Sequence, residues 1–208
     1  MPIGGLKMSK PLEGIRVLDL TNVLAGPFCC HHLAHLGAEV IKVEAAGQGD
    51  LARQLGADPE LNTAGMGVSF LAQNAGKKSV TVNLKHPRGK ELFLKLVKTA
   101  DVVVENFRPG VMNRLGVGYE KLKCENPQLI YCAISGFGQD GPWVHRPAYD
   151  QIIQGSSGVM SITGGTDSAP LRVGYPVADT IGGLTAAFAV TAALNARPRG
   201  SFIDVSML

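Results

Sequence analysis

Short apolar runs alternate along the chain with amphipathic stretches and Gly/Pro-rich breaks. The run Ile15-Arg16-Val17-Leu18-Asp19-Leu20 leads into a Gly26-Pro27 turn. Pro27 suits the first turn of a helix, and the pattern predicts one from Pro27 to about Leu36, ended by Gly37. Ala38–Glu44 reads as a second strand. Strand, helix and strand within about 30 residues make a βαβ unit, so the two strands should be parallel. Ser79–Asn83 alternates and is β-branched, a third strand. From Pro87 to Thr99 the spacing predicts an amphipathic helix. Leu92, Phe93, Leu96 and Val97 face inward, while Lys90, Glu91, Lys95 and Lys98 face water. Asp101–Glu105 and Leu129–Ser135 read as buried strands. Short helices are expected at Val111–Leu115 and Tyr119–Glu125, and another from Tyr149 to Gly158. A further helix follows Asp179, and Phe202–Ser206 is a last strand. Residues 45–76 lack clear periodicity and read as a long functional loop with short helical pieces. The fold class is therefore α/β: a Rossmann-like, mainly parallel sheet flanked by helices.

The 208 residues carry a net charge of +3 and are 45% hydrophobic, enough for a real core. No basic run with interleaved aromatics appears, so no nucleic-acid partner is expected. Residues 1–10 read as a flexible N-terminus or tag, with no signal-peptide or transit pattern. Ile181–Leu194 is apolar but interrupted by Gly and Thr. It reads as a buried helix too short to span a bilayer, so no membrane partner is expected. Cys29, Cys30, Cys124 and Cys132 form no CxxC. They read as reduced, buried thiols of a cytoplasmic protein, or a mitochondrial matrix protein in a eukaryote.

Five stretches could carry chemistry. The loop Thr21–Pro27 follows the first strand, where phosphates meet a helix N-terminus. It lacks GxGxxG, which argues against NAD or FAD, and reads otherwise as a tight turn. His31 and His35 share a helical face but lack the acidic partner of a zinc site, so no metal is expected. Asn106, Phe107, Arg108 and Arg114 lie at or beyond the carboxyl end of a strand, where ligands bind in open α/β sheets. Asp150 reads as an N-cap or first-turn carboxylate. Asp179, before the glycine pair Gly182-Gly183, reads locally as a helix cap. The alternative is an exposed carboxylate acting as a covalent nucleophile among small residues.

Several segments together resemble the class III CoA-transferases, the formyl-CoA and carnitine CoA-transferase group. They are PLEGIRVLDLTNVLAGP, LGAEVIKVE with Gly49-Asp50, the stretch from NAGKKSVTVNLKHPRG to VENFRPGVMNRLGVGYE, NPQLIYCAISGFGQDGP, AYD and RGSFIDVSML. The resemblance runs from Pro11 to Leu208, and the nearest likeness is to members that use dicarboxylic acids. It implies two interlocked chains in a homodimer, each with a large Rossmann-like domain and a small one. Residues 11–208 then form the N-terminal part of the large domain, with the small domain and the closing glycine-rich loop lying outside them. It implies Asp179 as nucleophile. It implies CoA contacts at Leu24, Ala25, Val82, Asn83, Leu84, Lys85, Asn106, Phe107, Arg108, Arg114, Pro147, Ala148, Tyr149 and Asp150. Coenzyme A or acyl-CoA would be a substrate, with no permanently bound cofactor. Formyl-CoA transferases have a glutamine where Leu24 stands and an arginine where Ala45 stands, so acid and nucleotide should be held differently here. An α-methylacyl-CoA racemase shares the fold but would place a histidine where Tyr149 stands. A non-catalytic CoA-binding module is the reading from another class.

Overall fold

The computed structural model describes residues 9–208; the first eight, most of the expected N-terminal segment, lie outside the described residues. Six strands form one sheet: β1 (Arg16–Asp19), β2 (Glu39–Glu44), β3 (Lys78–Thr81), β4 (Val102–Glu105), β5 (Ile130–Ser135) and β6 (Ser201–Ser206). Their spatial order is β3-β2-β1-β4-β5-β6, and every pairing is parallel. The expected α/β class holds, and the sheet is parallel throughout.

Among the described residues eight α-helices accompany it: α1 (Ala25–His35), α2 (Pro59–Thr63), α3 (Val68–Asn74), α4 (Pro87–Val97), α5 (Val111–Arg114), α6 (Tyr119–Glu125), α7 (Asp150–Ser156) and α8 (Val177–Asn195). Successive strand residues point to opposite faces, so each buried strand feeds two cores. Val17, Val40, Val104, Ile130, Cys132 and Ile134 pack under α1 and α8. Leu18, Val43, Val103, Leu129, Tyr131 and Ala133 pack under α4 and α6. Burial on both faces is why the central strands read as unbroken apolar runs.

Three local expectations change. In α4 the buried stripe is Gly89-Phe93-Val97, and Leu92 is exposed. Leu92 lies about 100° around the helix from Phe93, off the stripe. Cys29, Cys30 and Cys132 are buried thiols, but Cys124 is exposed, because α6 buries only Leu122. Helix α8 begins four residues before Ile181 and has 19 residues, enough by length and composition to cross a membrane. Its Gly182, Gly183, Ala186, Ala187 and Val190 pack against α1 and the sheet, while Ile181, Leu184 and Phe188 stay exposed.

Candidate active site

The strand order reverses between β1 and β4, and the loops that leave these two strands diverge there. A crevice at the carboxyl edge follows from that topology. A cavity of about 300 Å³ lies at this point. It is lined by Asn22, Val23, Leu24 and Ala25 after β1 and by Asn106, Phe107, Arg108 and Pro109 after β4. Ser135, Gly136 and Phe137 close it from β5. Arg146, Pro147, Ala148 and Tyr149 close it from the loop before α7, and Met207 from the end of β6. Asp179 faces it from the first turn of α8.

Asp179 does not cap its helix. Pro176 holds the N-cap position with no side-chain bond, and Asp179 is the third helical residue. The cap comes from a different helix. Asp150, 3% exposed at the start of α7, accepts hydrogen bonds on Oδ1 from the N–H groups of Ala178 (2.8 Å) and Asp179 (3.2 Å). Gln154 donates to its other oxygen. Asp150 therefore caps α8 rather than the helix it opens, and it does not line the cavity. With those N–H groups satisfied, the Asp179 carboxylate accepts no hydrogen bond among the described residues. Burial, and then the negative charge of Asp150, raise its pKa from the ordinary 3.8 to about 6. A place at a helix start, expected to favour ionisation, is outweighed by desolvation.

Two arginines meet this carboxylate's cavity. Arg146 stacks over Trp143, its guanidinium carbon 4.5 Å from the ring centroid. Among the described residues the arginine salt bridges belong to Arg16, Arg53 and Arg199, and neither Arg108 nor Arg146 is paired with a carboxylate. The Asn106 amide spans the crevice floor. It accepts from Asn22 N–H and donates to the Asn22 carbonyl, both at 2.8 Å. Gly183 brings α8 against α1: a Cβ there would stand 2.5 Å from the Ala25 carbonyl oxygen. That close approach fixes Asp179 relative to the loop after β1.

Of the residues singled out from sequence, Leu24, Ala25, Asn106, Phe107, Arg108, Pro147, Ala148, Tyr149 and Asp179 line one cavity. Val82, Asn83, Leu84 and Lys85 follow β3 at the far edge of the sheet, outside it. Arg114 lines a neighbouring hollow with Glu105, Tyr119, Tyr131 and Phe202. Val23, Arg146 and Ser135 carried no individual signal in the sequence. Val23 stands out in the structure as a β-branched residue at φ 66°. That left-handed conformation costs about 1–3 kcal/mol. The His31 and His35 rings lie 4.1 Å apart, and among the described residues no group of three His, Cys, Asp or Glu side chains could hold a metal.

The chain is 48% identical over 202 residues to succinyl-CoA:glutarate CoA-transferase of Mus musculus, covering 96% of this chain and 46% of the relative. It is 47% identical over 205 residues to acetyl-CoA:oxalate CoA-transferase of Acetobacter aceti, covering 97% of this chain and 52% of the relative. The chain thus spans about half the length of the curated relatives it matches. A CAIB/BAIF family protein from Brucella suis superposes with a TM-score of 0.88 at 40% identity, over 96% of this chain and 54% of that one. A hypothetical protein from Mycobacterium tuberculosis does so with a TM-score of 0.86 at 40% identity, over 96% of this chain and 55% of that one. The model of CoA-transferase family III matches residues 12–208, nearly the whole chain, and the chain belongs to that family.

Proposed function

We propose that this chain carries the nucleophile of an enzyme that moves coenzyme A from an acyl-CoA to a carboxylic acid through a thioester on Asp179. The observation that carries this reading is the division of work between two aspartates. Asp150 satisfies the N-terminus of α8, and Asp179 is left unbonded, partly desolvated and facing the crevice cavity. A carboxylate freed of hydrogen bonds and short of water is a better nucleophile than a solvated one.

The reaction follows in balanced steps. An Asp179 oxygen attacks the donor thioester carbonyl, the C–S bond breaks, and CoA thiolate leaves behind a mixed anhydride. The thiolate attacks the Asp179 carbonyl, expelling the donor carboxylate and leaving an aspartyl-CoA thioester. The acceptor carboxylate attacks that carbonyl and displaces the thiolate, which then attacks the acceptor's half of the new anhydride. A new acyl-CoA departs and the Asp179 carboxylate returns. No proton or water is consumed, and thioester energy is conserved. The N–H groups of Asn22 and Val23 are taken by Asn106 and Asp50, so the first turn of α1, whose N–H groups lack intrahelical partners, would supply the donors for the oxyanions.

Arg108 and Arg146 supply positive charge for the phosphates of CoA or the far carboxylate of a dicarboxylic acid, the class named for several relatives. Of the other CoA contacts that the resemblance implies, Val82–Lys85 follow β3 and Arg114 ends α5, while Asp150 serves as the cap of α8. No permanently bound cofactor enters these steps. Residues 11–208 are read as the N-terminal part of the large domain of an interlocked homodimer. The buried thiols support a cytoplasmic or matrix setting. Racemase chemistry needs a base on each face of the α-carbon. Tyr149, 69% exposed, stands where the histidine would, so that base is lacking. Exchange of labelled CoA between two acids, run beside deuterium wash-in at the α-carbon, tests the choice. Exchange without wash-in supports transfer, and wash-in without exchange overturns it.

A further inference from the structure

The Gly49-Asp50 pair lies in the long segment between β2 and β3, outside the cavity lining. Gly49 takes φ 64°, and a Cβ there would stand 2.7 Å from Glu44 Oε2. The turn sends Asp50 into the interior, where it is 1% exposed. Its Oδ1 accepts from the N–H groups of Val23 (3.0 Å) and Ala52 (2.9 Å). Its Oδ2 lies 2.8 Å from Lys42 Nζ, which donates to the Thr21 carbonyl at 2.7 Å. Lys42 is itself 3.9 Å from Asp19, and Asp19 holds Lys77 at 2.8 Å. Four buried charges, two of each sign, therefore converge beneath residues 21–24. Burial alone would raise the Asp19 pKa, but Lys77 and Lys42 hold it below the ordinary value. Burial alone would lower the Lys42 pKa, but Asp19 and Asp50 raise it. Gln73, with its amide nitrogen toward the loop, adds bonds to the Val23 and Leu24 carbonyls at 3.1 Å each.

A buried ionic cluster is a poor source of stability, since apolar side chains of similar volume often do as well or better. It does fix backbone direction, and the atoms it grips flank the one non-glycine residue with positive φ among the described residues, Val23. We propose that Asp50, with Lys42 as its counter-ion, is a positioning residue that locks Val23 in its left-handed conformation and so presents residues 23–25 to the thioester at Asp179. This rests on the CoA reading above. The predicted long functional loop would then act as a strap reaching under the reacting loop without touching substrate.

A double-mutant cycle of Asp50→Ala and Val23→Gly in the full-length protein tests this, with Val97→Ala in the distant α4 core as a control for lost stability. Asp50→Ala should weaken CoA binding in calorimetry by about tenfold or more, the scale of a misplaced binding element. It should also abolish hydrogen-exchange protection at the Val23 amide. Val97→Ala should do neither. Glycine adopts φ 66° freely, so the Asp50→Ala loss should shrink by about threefold or more in the Val23→Gly background. Asp50→Asn retains an acceptor for Val23 and should keep that amide protected, which leaves a readout if the alanine variant fails to fold. The inference falls if Asp50→Ala binds CoA like the wild type, if the two substitutions act independently, or if Val97→Ala produces the same loss. A wild type that binds no CoA would instead refute the CoA reading. The clamp would then stand or fall on Val23 amide protection in Asp50→Ala.

Discussion

Asp179→Asn should stabilise the chain above pH 6 and not in acid. Asp179 titrates near pH 6 when folded, against 3.8 ordinarily, because it is desolvated and faces Asp150. Between those values the folded chain keeps a proton that the unfolded chain has released. Stability therefore falls as pH rises through that window and is flat above it. Each tenfold in acidity is worth about 1.4 kcal/mol, so a fully buried carboxyl would lose about 3 kcal/mol. Asp179 is half-buried, and solvent screening reduces this to about 1–2 kcal/mol. Asparagine keeps the shape and lacks the charge. Urea unfolding of both proteins at about pH 4 and about pH 7.5 reads the difference. Asp179→Asn should gain about 1–2 kcal/mol at the higher pH relative to its effect at the lower one. A difference that does not change with pH, or a variant less stable at the higher pH, would refute the desolvation argument.

The same titration sets an acid limb. Transfer rates should fall about tenfold per pH unit below pH 6 as Asp179 protonates, and a rate profile flat to pH 5 would exclude it as the ionised nucleophile. Gly183→Ala should cost about 1–3 kcal/mol in urea unfolding, because the added Cβ meets the Ala25 carbonyl oxygen at 2.5 Å and α8 must shift. The same shift moves Asp179, so transfer should drop even where the variant remains folded.

The sheet was legible because β4 and β5 are buried on both faces and stand out as apolar runs between turn residues. The start of α8 was not legible. Pro176-Val177-Ala178 has no capping side chain, and the cap is Asp150, distant in sequence and brought close only by α7 packing on α8. Asp179 therefore looked like the cap, being the nearest carboxylate. Lys42 was also hidden. A lysine in a strand reads as solvated, yet this one is 1% exposed because Asp19 and Asp50 close around it. Nothing local marks Val23, since its left-handed backbone is imposed from Asp50 and the residues around it. The individual elements follow from local pattern, whereas the cavity collects residues from six chain segments that only the strand order brings together.

The central claim is that the acyl group and then CoA pass through the Asp179 carboxylate. Full-length protein mixed with acyl-CoA and digested should yield a peptide carrying a CoA thioester at Asp179. Hydroxylamine should cleave that thioester, and Asp179→Ala should lack it. An adduct that persists in Asp179→Ala, or maps to another residue, would contradict the account.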